Sequence, residues 1–302
     1  MTRVAVVGHV EWLDVARVAR LPRQGEIAHA RELRTRAGGG GAMAAFQLAA
    51  LAGGCDFLTA VGDDEAGSAA LADIRARGVD VEAAVRAGTP HRRAITLVDD
   101  DHERTIVVAR ERLVPYGDDP LPWDRAAGWD AVYVTGGDAA AIRAARAARL
   151  VVATPRARDA LVAAGVVLDV VVASSGDAGE GVDEPLRALA RAVVLTEGAA
   201  GGRIERPDPS SGVDPGYVRV DPPLDASGGR WEAVALPGEP VDAYGCGDTF
   251  AAGLTYGLAT GMAVADACAL GARCGAATLC LPAPEVASRA TILDGAPLAA
   301  AP

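Results

Sequence analysis

The strongest constraint on the fold is a series of short apolar runs that do not alternate with polar residues. Val4-Ala5-Val6-Val7, Ala131–Thr135, Leu150–Thr154, Val166–Ala173 and Val193–Thr196 are apolar nearly throughout. A strand with one wet face alternates; a strand buried on both faces does not, and a parallel sheet covered by helices meets that second condition. Cys55–Val61 reads as a further strand. Helical stretches separate the runs: 42–52, stopped by Gly53-Gly54, then Ala66–Arg77, closed by Gly78, then Asp138–Arg149, Arg156–Ala164 and Pro185–Arg191. Alternating strand and helix predicts the α/β class. Residues 248–281 are Ala-rich and read as helical, and the tail after Pro282 as weakly structured.

Two segments break the alternation. Arg93–Val98 and Glu103–Val108, joined through Asp99–His102, read as strand, turn and strand, a β-hairpin set into the α/β chain as a lid would be. Residues 206–230 are rich in Pro, Gly, Asp and Ser and read as a loop.

Composition then limits the function. No apolar run approaches the ~18 residues of a membrane span, and the start is too soon broken for a signal peptide, so a cytoplasmic protein is expected. A net charge of −11 argues against a nucleic-acid partner. No run of arginines in the sequence marks a binding site for a phosphate group. All 29 fixed basic side chains are Arg. Chemistry that needs a lysine, as in a Walker loop or a Schiff base, is excluded. The five cysteines show no C-x-x-C pair and read as buried free thiols, and the four histidines have no ligand spacing.

The sharpest motif is Asp242-Ala243-Tyr244-Gly245-Cys246-Gly247-Asp248-Thr249-Phe250, with a helix beginning at about Asp248. Unpaired backbone N–H groups at a helix start, backed by the helix dipole, form an anion cradle, and glycines let a phosphate approach it. Asp248 stands at its lip as a candidate general base. Read in isolation, Asp248 is only an N-cap after a Gly-rich turn.

The wider pattern Asp-x-x-Gly-x-Gly-Asp-Thr-Phe-x-x-Gly resembles the second signature of the ribokinase-like (PfkB) carbohydrate kinases. Other segments resemble that family in order along nearly the whole chain: Pro22–Glu26, Ala37–Ala42, Gly62–Gly67, the hairpin at Asp99–Ile106, and Val194–Gly198 with Gly201. The resemblance implies one doubly wound, mostly parallel sheet flanked by helices over 1–302, with lid elements at about 9–36 and 90–112. It implies ATP-dependent transfer of a phosphoryl group to a hydroxyl of a sugar or nucleoside. Asp248 would be the base, and Gly245, Cys246 and Gly247 the anion hole. Thr196, Gly198 and Gly201 would lie along the ATP, with Glu11, Asp14, Gly38 and Gly39 at the acceptor. Asp177 would serve Mg²⁺, and Asp242 with the Tyr244 carbonyl a monovalent cation such as K⁺. A homodimer through the lid follows by the same analogy.

Departures from the family pattern fall on the acceptor side. Glu11-Trp12-Leu13 replaces the usual Asn-x-Asp, with Asp14 one residue late. Met43 replaces an Asn, and Ser174-Ser175-Gly176-Asp177 replaces Asn-x-x-Glu. A site that reads hydroxyls depends on its buried polar groups, so these changes should redirect substrate choice. They also leave open a second reading, a non-catalytic sugar- or nucleotide-binding regulator on the same fold.

Overall fold

The structure is a computed structural model and describes residues 2–101, 104–206 and 229–298. Its frame is a nine-stranded sheet in the order β13-β12-β11-β10-β9-β8-β1-β4-β5. From the centre outward these strands are β1 (Val4–Val7), β8 (Ala131–Val134), β9 (Val151–Ala153), β10 (Val170–Ser174) and β11 (Val193–Thr196) on one side. On the other side lie β4 (Asp56–Gly62) and β5 (Asp80–Arg86). All of these pair in parallel, while β12 (Gly202–Glu205) and β13 (Gly229–Trp231) close one edge antiparallel. The apolar runs of the sequence are the central strands, and β1, β8 and β9 are buried at every position.

Helices cover both faces. One core packs α1 (Gly39–Ala52), α6 (Cys246–Ala259) and α7 (Val264–Leu279) on the sheet. The other packs α3 (Ala139–Ala145), α4 (Arg158–Ala164) and α5 (Glu184–Arg187). Helix α2 (Glu65–Ala76) and the short α8 (Arg289–Asp294) complete the set. The Ala- and Gly-rich C-terminal stretch is two helices in close contact. A Cβ on Gly253 would stand 2.8 Å from the Gly271 Cα, and one on Gly271 would stand 2.7 Å from the Phe250 carbonyl. Cys268 and Cys274 are buried free thiols in this seam.

A second, four-stranded sheet has the order β3-β2-β6-β7, formed by β2 (Glu11–Arg17), β3 (Glu32–Gly38), β6 (Arg93–Val98) and β7 (Arg104–Ala109). The predicted hairpin is β6–β7, antiparallel from Arg93↔Ala109 to Val98↔Arg104. Strands β2, β3, β5, β12 and β13 carry mixed polar patterns that hide them from a reading based on apolar runs. Helices α3 and α5 are shorter than expected, because α3 gives way to a turn and bend at 146–149 and α5 to a turn at 188–189 before Ala190 bridges to Leu168. The loop expected over 206–230 lies almost wholly outside the described residues.

One buried charge holds the outer half of the sheet. Asp169 is fully buried and accepts hydrogen bonds from Arg146 Nη1 (2.6 Å), the Val151 N–H (2.7 Å) and Arg191 Nη1. Removing one partner from such a group leaves buried charge uncompensated. Asp169→Ala is expected to cost about 3–5 kcal/mol. The urea midpoint should fall accordingly at unchanged m value.

Candidate active site

The site forms where the starts of two helices converge. Helix α6 begins at Cys246, with Gly245 as its N-cap and no side chain capping it. Gly245 has φ 75° in the left-handed region, and a Cβ there would stand 2.6 Å from Met43 Cε. Both conditions require glycine. The first-turn N–H groups are left free to receive an anion. Asp248 is the third residue of the helix, so its reading as an N-cap fails: the helix starts two residues earlier than the sequence suggested.

The start of α1 faces this carboxylate. A Cβ on Gly40 would stand 2.6 Å from Asp248 Oδ1, so glycine is what lets the acid sit there. The Gly39 N–H donates to the Tyr244 hydroxyl at 2.7 Å and ties the start of α1 to the strap before α6. Gly38 pairs with Glu11 across β3 and β2. Beside Gly39 lie Glu11 and His9, 3.0 and 3.3 Å from the position its Cβ would take.

A cavity of about 530 Å³ opens in front of Asp248, walled by Arg104, Tyr133, Arg156, Asp177, Glu180 and Thr196 with the 245–247 backbone. Burial, and then the negative charge of Glu180, push the Asp248 carboxyl up to about 7, with Arg156 opposing. A carboxyl with that value is poised to exchange a proton near neutral pH. Burial lifts the Cys246 thiol to about 12. Cys246 therefore stays a neutral thiol and offers the cradle its backbone, not a thiolate.

The remaining acids are engaged. Arg156 pairs with Asp177 and, through Nε, with Glu180 Oε1 at 2.8 Å. Asp177 also accepts from the Gly179 N–H at 2.8 Å, and Glu180 Oε2 from the Ser174 N–H at 2.8 Å. Glu11 is buried, accepts from Arg92 Nε at 2.6 Å, and lies 3.8 Å from His9 Nε2. Burial, with Arg112, Arg92 and Arg156 adding to it, lowers the pKa of His9, so the ring is neutral. Its Nδ1 is buried without a hydrogen-bond partner among the described residues. Asp14 is held within the small sheet by Thr35 Oγ1 (2.6 Å) and Arg93 Nη2 (2.8 Å).

Thr196 lines the cavity at the end of β11, whereas Gly198 and Gly201 form the tight turn that follows, closed by the Glu197 N–H to Gly201 carbonyl bond at 2.8 Å. Asp242 is buried and accepts from the Tyr244 N–H at 2.8 Å. Among the described residues, no group of three or more His, Cys, Asp or Glu is arranged to hold a metal by itself.

The sequence reading missed His9, Arg92, Arg104, Arg112, Arg156 and Glu180. They come from separate segments and have no shared spacing; only the fold gathers them. The arginine cluster that no run in the sequence marks is assembled here from the β6–β7 hairpin, the chain after it and the end of β9.

Comparison with known proteins agrees with this architecture. The fold is shared with a microbiome-derived acarbose kinase (TM-score 0.74, 22% identity, 97% of this chain and 98% of that one). It is also shared with an Arabidopsis thaliana ribokinase in complex with ribose and ATP (TM-score 0.70, 17% identity, 97% and 98%). Residues 1–286 match the pfkB family of carbohydrate kinases, and the chain belongs to that family. An ATP-dependent ribose-1-phosphate kinase of Halopiger xanaduensis is 38% identical over 109 residues, 35% of this chain and 36% of that protein. The chain thus matches about a third of the length of the curated relatives it resembles. Among the described residues, no helix is long and apolar enough to cross a membrane.

The raised Asp248 value has a measurable consequence. Folded, the group titrates at about 7, above its ordinary 3.8, so the native state binds the extra proton between those values. Stability must therefore fall as pH rises through this window. Denaturant midpoints measured from pH 5 to 8 should decline more steeply for the wild type than for Asp248→Asn. Parallel curves would show that Asp248 titrates normally.

Proposed function

We propose that this protein transfers the γ-phosphoryl group of ATP to a hydroxyl of a sugar or sugar-like acceptor, with Asp248 as the general base. The observation that carries the reading is the Asp248 carboxylate, wedged against Gly40 at the lip of an uncapped helix start. Asp248 takes the proton of the attacking hydroxyl. The N–H groups of Gly245, Cys246 and Gly247 meet the charge on the transferring group, a stabilisation that needs no reorganisation during the step. Thr196, Gly198 and Gly201 border the nucleotide. Gly38, Gly39 and Glu11 border the acceptor, and Asp14 stiffens the lid that carries Glu11.

Mg²⁺ suits the wall formed by Asp177 and Glu180, because that ion takes one or two carboxylates and completes its shell with phosphates and water. When bound it neutralises phosphate charge; Arg156 keeps the two acids oriented. Asp242 is a buried carboxylate that accepts from a backbone N–H, and with the Tyr244 carbonyl it suits a monovalent cation such as K⁺. The chain is read as a single kinase unit over 1–302, acting in the cytoplasm. The four-stranded sheet is its lid, and the exposed Ile106, Val107 and Val108 of β7 are the surface for pairing with a second copy.

Asp248→Asn should lower kcat by at least ~10²-fold in an ADP-release assay over neutral sugars, sugar phosphates and nucleosides, within the range for a positioned base. Gly40→Ala should cost ~10² in kcat by displacing the same carboxylate, with little change in Tm. Near-normal turnover in Asp248→Asn would overturn the base. ATP binding without turnover across the whole panel would favour the regulator reading, which the apolar Leu13 and Met43 support.

A further inference from the structure

A second hollow adjoins the catalytic cavity at the C-terminal edge of the large sheet. It has a volume of about 350 Å³, and its walls include Arg112, Gly136, Gly137, Arg156, Arg158 and Asp159. Arg156 lines both spaces, so the two meet at its side chain. Gly136 and Gly137 follow β8, and Arg156 follows β9. The cavity wall assigned to the nucleotide lies at β10 and β11, one to three strands away in sheet order. The hollow is thus on the side of β1, after which the chain runs through His9 to Glu11 at the start of β2.

One of its three arginines stands apart from the ion pairs. Arg158 is paired with Asp183 and Asp159, and Arg156 with Asp177 and Glu180. Arg112 is half-buried and has no carboxylate partner among the described residues. Its Nη1 donates to the Arg156 carbonyl over a long 3.4 Å. Burial, with the like charges of Arg92 and Arg156, lowers its pKa, opposed by Glu11 and Asp248. Arg92 is itself committed to Glu11 and the Arg110 carbonyl. A half-buried guanidinium without a counter-ion is costly, and its planar fork matches a phosphate or carboxylate.

We infer that this hollow receives an anionic group of the acceptor, that the acceptor is a sugar already bearing a phosphomonoester, and that Arg112 is the residue that reads it. The inference rests on the phosphotransfer reading above and deepens it. A dianionic phosphate suits the planar fork of Arg112, which has no carboxylate partner among the described residues, with the ion-paired Arg156 and Arg158 beside it, better than a single carboxylate does. Arg104 reaches the catalytic cavity from β7 on the Cys246 side and belongs to the transferring phosphoryl group. Arg112 lies on the other side of Arg156, where an acceptor held against Asp248 would extend its far end.

The test uses the full chain with MgATP and sugars paired with their own monophosphates, pentose and hexose, alongside sugar acids. At least one monophosphate should exceed its neutral parent in kcat/KM by about 10² or more. Arg112→Ala should raise KM for that sugar phosphate by about 10²-fold, the scale of a lost buried charge contact, with the KM for ATP changed less than about twofold. Arg112→Gln keeps the bulk and replaces the alanine variant if that one does not fold. Preference for neutral sugars or for sugar acids overturns the inference, as does an equal rise in KM for ATP. If nothing turns over, calorimetric titration of the same monophosphates decides. Binding lost in the Arg112 variant keeps the hollow and sinks the phosphotransfer reading, whereas no binding sinks the inference itself.

Discussion

The contact between Asp248 and the glycine start of α1 is the constraint on which the rest of the site depends. Two helix N-termini, from chain segments some 200 residues apart, meet with Asp248 in this position because at each contact one of the two residues is a glycine. Gly40 removes the Cβ that would meet Asp248 Oδ1, and Gly245 removes the one that would meet Met43. The Tyr244 hydroxyl, accepting from the Gly39 N–H, fixes the gap between them. The acid is therefore held by the meeting of two rigid elements rather than by a loop. The close seam of α6 and α7 at Gly253 and Gly271 keeps the second element in place.

Around that acid the cavity is built of paired charges. Arg156 clamps Asp177 and Glu180, and Arg92 clamps Glu11. Pairing lets several carboxylates share a partly buried space without mutual repulsion driving them all to protonate. Asp248 is the exception: Arg156 and Arg104 act on it only from a distance, and its pKa rises. A chain of net charge −11 can still receive an anion here, because free backbone N–H groups at the helix start and nearby arginines govern the field at short range.

What the sequence disclosed follows the physics of each feature. Buried parallel strands leave a contiguous signature, so β1, β8, β9, β10 and β11 were legible. The small sheet was half legible. Its hairpin β6–β7 has a polar turn between two β-rich runs, but β2 and β3 are separated by a polar stretch and pair through residues such as Arg36 with Leu13. Asp248 was legible because glycine spacing around a helix start is a local property. Arg112, Arg156 and Glu180 were not, because a charge cluster drawn from three segments exists only once the sheet order is set.

The departures at Leu13 and Met43 acquire a meaning that their position in the pattern could not give. Both are fully buried. Leu13 lies against Gly38, where a Cβ would come within 2.9 Å of its Cδ2, and Met43 fills the space beneath Gly245. They are packing residues of the two glycine elements that frame the site, so no polar group at either position can read an acceptor. The polar surface moves one layer out, to Glu11 with its Arg92 and His9 neighbours. An ion-paired carboxylate and a neutral imidazole with a buried, unpartnered Nδ1 can exchange hydrogen bonds with hydroxyls, but they supply little net charge to hold a small neutral sugar in place. The orientation lost at Leu13 and Met43 must then come from elsewhere on the acceptor, and charged groups at its far end are the physical means the cavity retains.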